Sequence, residues 1–229
     1  MTTDSPASQD PSGVSSAGQP AESSRSGTHA ASTDAGAGHV SAQLDQRLRE
    51  HCESSTLVHE GAFLTVKCDK VRLPDGKLAT REYVQHAGAV MILPLFDDGT
   101  VLVEKQFRYP LGRVLTEYPA GKLDPGEDPV VCAHRELLEE TGYSASQMTF
   151  LTRINPVISY STEFIDLYLA RGLTPGRQQL DEGEFLELEI VSPQRMIDAV
   201  RSGQISDVKT IIGTFWLEKI LSGAWPLPA

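Results

Sequence analysis

Across residues 1–38 almost no large apolar side chain interrupts a background of Ser, Ala, Gly, Thr, Pro and Asp, whereas the remainder of the chain shows ordinary globular patterning. The first stretch cannot bury enough apolar surface to offset the entropy of ordering it, so residues 1–40 read as a disordered tail. Leu44, Leu48 and Cys52 fall at helical spacing and predict a short helix within residues 41–56. Residues 57–71 are rich in apolar and β-branched side chains and are followed by Pro74-Asp75-Gly76 and a second run over 78–85, which predicts an antiparallel strand pair. The apolar run 89–96, the turn Asp97-Asp98-Gly99 and the run 101–105 read as the central hairpin of a mixed sheet. Residues 114–118 supply another strand, a helix follows, and strands recur at 148–154 and 164–170. Ser192-Pro193 opens a helix closed by Gly203, and a second helix from Ser206 or Asp207 carries Val208, Ile211, Phe215, Leu217 and Ile220 to Gly223. Strands with helices on both sides predict an α/β fold, an α/β/α sandwich over residues 86–225, preceded by the small strand segment 57–85.

A formal net charge of −11 argues against a duplex nucleic-acid surface, which needs clustered cations to neutralise phosphates. A small anionic substrate then requires a local cationic patch or a metal ion. Three cysteines without C-x-x-C spacing suggest neither a disulfide framework nor a zinc site. With no apolar run of membrane length and no signal-peptide pattern, a cytoplasmic protein without membrane association is expected.

The chemistry concentrates in residues 121–143, GKLDPGEDPVVCAHRELLEETGY. Gly121 and Gly126 frame a loop, Glu127 sits at a helix start where the dipole favours negative charge, and Gly142 stops the helix after Thr141. Val130, Ala133 and Leu137 form an apolar stripe, while Glu136, Glu139 and Glu140 gather within one turn on another face. A glutamate run by itself usually marks a solvated face. Here it belongs to a longer pattern, Gly-x5-Glu-x7-Arg-Glu-apolar-x-Glu-Glu-x-Gly, satisfied at every position; at average residue frequencies a chance match is on the order of one in 10⁹ per window. Repelling carboxylates without sulfur ligands suit a hard cation, Mg²⁺ with Mn²⁺ able to substitute, of the kind phosphoryl substitution uses.

This segment resembles the Nudix box, with Tyr143 standing where an aliphatic residue is usual. The resemblance implies the Nudix fold, with Glu136 and Glu140 as principal metal ligands, Glu139 as a supporting ligand or base, Arg135 as a structural partner of the carboxylates, and Glu127, Gly121 and Gly142 fixing the box. The segments 103–110 (VEKQFRYP) and 117–121 (EYPAG) are similar to the ADP-ribose pyrophosphatase branch. That likeness implies metal ligation by the Ala120 carbonyl, phosphate contact by Arg108 with Arg81 as a second candidate, and water activation by Glu163 in the loop 155–163, with Glu139 the runner-up. Surface charge is the ordinary fate of such arginines and of a loop glutamate. His134 and Cys132 read as incidental helix residues.

The implied reaction is Mg²⁺-dependent hydrolysis of ADP-ribose to AMP and ribose 5-phosphate. Other branches with the same box cleave NADH, nucleotide sugars or dinucleoside polyphosphates, and a non-catalytic nucleotide-sensing module is the rival from another class. The resemblance also implies a homodimer in which residues 57–85 exchange with the partner.

Overall fold

The structure is a computed structural model that describes residues 44–227; the tail expected over residues 1–40 lies outside the described residues. Residues 44–48 are helical, but the predicted helix does not continue through Cys52. Cys52 instead lies in β1 (His51–Glu60), which pairs antiparallel with β2 (Thr65–Arg72), itself paired with β3 (Leu78–Gln85). The N-terminal segment is therefore a three-stranded meander beginning at residue 51, not a strand pair beginning at 57. Leucines four residues apart allow a helix, but β-sheet pairing with β2 decides the conformation from His51 onward.

Two further sheets follow. One has the order β7 (Ala120–Lys122), β4 (Ala89–Pro94), β9 (Ile165–Pro175), β8 (Tyr143–Ile154), with β4 and β9 parallel. The other has the order β10 (Leu186–Val191), β5 (Val101–Arg108), β6 (Arg113–Glu117). The predicted central hairpin thus proves to be a link between sheets: β4 and β5 meet only at the single bridge Leu95–Val101 and then part.

Strand β4 organises the layers through its period-two alternation. Val90 and Ile92 pack with Ala133 and Leu137 of α1 (Pro129–Thr141). Met91 and Leu93 turn the other way, into a core shared with Met196 of α2 (Pro193–Arg201) and Leu217 of α3 (Val208–Leu221). Gly213 lets α3 approach that face closely, since a β-carbon there would lie 2.7 Å from Met91 Cε. The expected sandwich is therefore present, with α1 on one side and α2 and α3 on the other. Ser192 and Asp207 cap α2 and α3 by accepting from the Arg195 and Thr210 amides. No helix among the described residues is long and apolar enough to cross a membrane.

Candidate active site

A cleft of about 950 Å³ opens where β4, β6, β7 and α1 meet, and its walls include Glu136, Glu139, Glu140, Arg108 and Lys209. Helix α1 is fixed at both ends. Asp128 accepts from Val130 N at 2.9 Å, Pro129 occupies the first turn, and Gly142 adopts φ 74° while its amide donates to Leu138 O. The apolar face on β4 leaves the carboxylate face towards β7, which carries Ala120 and Gly121.

Arg135 ties this face together. It donates to both oxygens of Glu127 at 2.9 Å, to Glu136 Oε1 at 2.8 Å, to Glu139 Oε2 at 2.9 Å and to the Lys122 carbonyl at 3.2 Å. Glu127 is held by these bonds at a pKa of about 2, and it also accepts from the Asp124 amide, closing the loop that precedes the helix. Glu140 points the other way, is almost fully buried, and accepts from Ala120 N at 2.9 Å. Gly121 is a glycine for want of room: a β-carbon there would lie 1.9 Å from Glu136 Cδ.

Residues that the sequence reading passed over complete the acidic site. Glu104 on β5 is fully buried and neither carboxylate oxygen has a hydrogen-bond partner; burial, reinforced by the charge of Glu117, pushes its pKa up to about 8. Burial likewise drives Glu140 up to about 10, with the charges of Glu104, Glu136 and Glu184 adding to it. Glu136 is raised in turn, mainly by burial. Glu184 reaches the cleft from the loop 176–185, which is strapped to the end of α1: Gln178 Nε2 donates to Glu140 O, Gln179 N to Glu139 O and Gly176 N to Gly142 O.

Among the described residues no three acidic, histidine or cysteine side chains are already drawn together as a metal cage. The donor set nonetheless fits a hydrated hard cation. Glu104 and Glu140 are buried without a cation bonded to either, and Mg²⁺ commonly takes one or two carboxylates while keeping several waters.

Also lining the cleft, Arg108 forms a bidentate pair with Glu117, Nε to Oε1 at 2.7 Å and Nη2 to Oε2 at 2.9 Å. Glu163 lines the cleft from the loop after β8, with Oε1 4.0 Å from His86 Nε2 and its backbone braced by Asn155 and Ser161. Arg81 is not brought to this cleft. It lies on β3, pairs with Glu50 at 2.5 and 2.9 Å, and faces a separate shallow groove beside residues 158–162. From the N-terminal meander it is Phe63 that reaches the cleft, with Lys122 Nζ 4.1 Å from its ring centroid.

Residues 85–209 match the family model described as the NUDIX domain, and residues 50–84 match the nucleoside diphosphate sugar hydrolase N-terminal domain. An ADP-ribose pyrophosphatase of Bacillus subtilis (strain 168) is 36% identical over 173 residues, 75% of this chain and 94% of that protein. An ADP-ribose pyrophosphatase of Mycobacterium tuberculosis is 43% identical over 121 residues, 52% of this chain and 58% of that protein. Among solved structures, an ADP compounds hydrolase superposes with a TM-score of 0.70 at 23% identity, covering 77% of this chain and 96% of that one.

Proposed function

The chain belongs to the NUDIX family, and from that premise we propose that it hydrolyses ADP-ribose to AMP and ribose 5-phosphate, with Mg²⁺ as its metal and Mn²⁺ able to substitute. The observation that carries this reading is the meeting, in one cleft, of the Arg135-held Glu136, the buried Glu140 with no cation bonded to it, and Arg108, an arginine suited to phosphate. The name of the Bacillus subtilis relative supports the choice of ADP-ribose among the nucleoside diphosphates.

Glu136, Glu140 and the Ala120 carbonyl would hold the metal, which supplies charge neutralisation at the diphosphate and acidification of water when bound. Arg135 orients the carboxylate face, so that Glu136 and Glu139 are not free to splay apart. Arg108, already held flat by Glu117, has its remaining N–H groups for phosphate oxygens, a geometry suited to bidentate contacts. The water oxygen bonds to one phosphorus, the bridging P–O bond breaks, and the water proton passes to a carboxylate. Glu163 and Glu184 both face the cleft from loops and are the two candidates for that base, ahead of Glu139, whose carboxylate is engaged by Arg135. We take Glu184 first, because its loop is anchored by hydrogen bonds to the backbone carbonyls of Glu139 and Glu140 at the end of the carboxylate-bearing helix.

A homodimer in the cytoplasm completes the proposal, with the N-terminal meander as the exchanging segment; exposed Leu57, Val58 and Leu64 support that role, and Arg81 would then serve the partner's cleft. The deciding assay is turnover of a panel containing ADP-ribose, NADH, a nucleotide sugar and a dinucleoside polyphosphate at saturating Mg²⁺. ADP-ribose is expected to have the highest kcat/KM. Preference for another member would move the substrate, and the absence of metal-dependent turnover on all of them would favour a nucleotide-sensing module.

A further inference from the structure

Lys209 stands at the start of α3, buried, yet on the wall of the cleft. Its ammonium donates to Glu117 Oε2 and, at 3.0 Å, to Asp207 Oδ2. Glu117 therefore accepts from two cations at once, Arg108 across the β5–β6 pairing and Lys209 from the helix, and those two together hold its carboxyl below the ordinary range against the opposing effect of burial. Asp207 is engaged elsewhere as well, accepting from the amide and hydroxyl of Thr210 at the positive end of the α3 dipole.

The charges decide what this arrangement does. A guanidinium locked bidentately to a carboxylate of its own is neutral as a pair and exerts little pull on an anion. With the second cation, Arg108, Lys209, Glu117 and Asp207 sum to zero and the positive end of α3 adds to the cationic side, whereas without Lys209 the same group would carry one net negative charge that repels a diphosphate. We propose that Lys209 is a positioning residue for diphosphate recognition: it shares the Glu117 carboxylate, so that Glu117 fixes the orientation of Arg108 without neutralising it. This inference rests on the reading of Arg108 as the phosphate contact. It makes the first turn of the C-terminal helix, remote in sequence from the box, part of substrate binding.

The test is a double-mutant cycle on the full chain with saturating Mg²⁺ and ADP-ribose as the probe, reading KM and kcat separately. Arg108→Ala is expected to raise KM about ten- to hundredfold, the range of a charge-assisted hydrogen bond. Lys209→Met is expected to raise KM in the same direction while kcat stays within a few-fold, and Lys209→Arg to restore it. In the Arg108→Ala background, Lys209→Met is expected to add little, because its effect passes through the missing guanidinium. Should Lys209→Met lose its fold through the unpaired Asp207, Lys209→Met combined with Asp207→Asn removes that charge while keeping a side-chain oxygen for the Thr210 amide, and the same cycle is run on that pair. An unchanged KM in a folded Lys209 variant, or an equal KM increase with and without Arg108, overturns the positioning role while leaving Arg108 as the phosphate contact. An unchanged KM in Arg108→Ala overturns the Arg108 reading and this inference with it.

Discussion

The carboxyl carbon of Glu136 lies 1.9 Å from where a β-carbon on Gly121 would stand, so strand β7 and the helix share one volume. The obstacle is the far end of a flexible side chain, not backbone. Gly121→Ala is therefore expected to fold with a melting temperature within a few degrees of wild type while losing turnover by orders of magnitude, as Glu136 swings out of the cleft. Gly142→Ala is the contrast: φ is 74° and the added carbon would meet Gln178 N at 2.7 Å, so stability falls, by at least about 1 kcal/mol. Thermal melts and turnover on the two variants check the pair; a Gly121→Ala enzyme of normal activity would remove Glu136 from the site.

Glu140 gives a pH dependence. Its folded pKa of about 10 lies above the ordinary value of 4.5, so the folded state holds a proton that the unfolded state has lost, and stability declines as pH rises across that interval. Glu104, raised to about 8, acts in the same sense. Metal-free protein is thus expected to melt progressively lower from pH 6 to pH 9, and Mg²⁺ to restore more at the higher pH. Glu140→Gln should flatten that slope, melt no lower than wild type without metal, gain less from Mg²⁺ and lose most turnover. A wild-type response to Mg²⁺ in the variant contradicts the ligand assignment.

The general base is decided by kinetics at saturating Mg²⁺. Loss of a base typically lowers kcat about 10²–10⁴-fold. Glu184→Gln is expected to show that drop with little change in KM, Glu163→Gln a smaller one, and Glu139→Gln less than the base variant. The reverse order for Glu184 and Glu163 would assign the base to Glu163.

Glu127 behaves oppositely to Glu140. The hydrogen bonds from Arg135 hold its pKa near 2 against an ordinary 4.5, so its stabilising contribution is present above that ordinary value and is lost as pH falls towards 2. Glu127→Gln is expected to cost about 1 kcal/mol at neutral pH, the scale of a partly exposed pair, and to lessen the acid sensitivity of the melting temperature. Equal acid slopes in variant and wild type would show that the pair contributes nothing.

The box was legible because its members lie close together in sequence: one helical turn brings Arg135 to Glu139, and the resemblance implied the roles of Arg135 and Glu127. Glu104, Glu117 and Lys209 were not, since their meeting depends on the register of β5 against β6, which sets Glu104 opposite Glu117, and on a helix some ninety residues further along the chain. Strand β10 did carry a signal: Leu186, Leu188 and Ile190 alternate with Glu187 and Glu189. It runs directly into the cap of α2 at Ser192 without a turn to mark it. Arg81 lies away from the cleft of its own chain, held by Glu50, which precedes the predicted strand segment and gave no sequence signal for the pairing.

The strap of residues 176–179 across the end of α1 constrains how this protein can diversify. The backbone carbonyls of Glu139, Glu140 and Gly142 are satisfied by Gln179, Gln178 and Gly176, so the termination of the helix and the anchoring of the acidic loop are a single set of hydrogen bonds. An insertion within 176–179 would fray the very turn that carries Glu139 and Glu140, the latter proposed as a metal ligand. Length changes are tolerable only beyond the anchor, around residues 181–185, where Phe185 is already exposed and Glu184 faces the cleft. Substrate range can therefore be retuned at the tip of that loop while its root stays fixed.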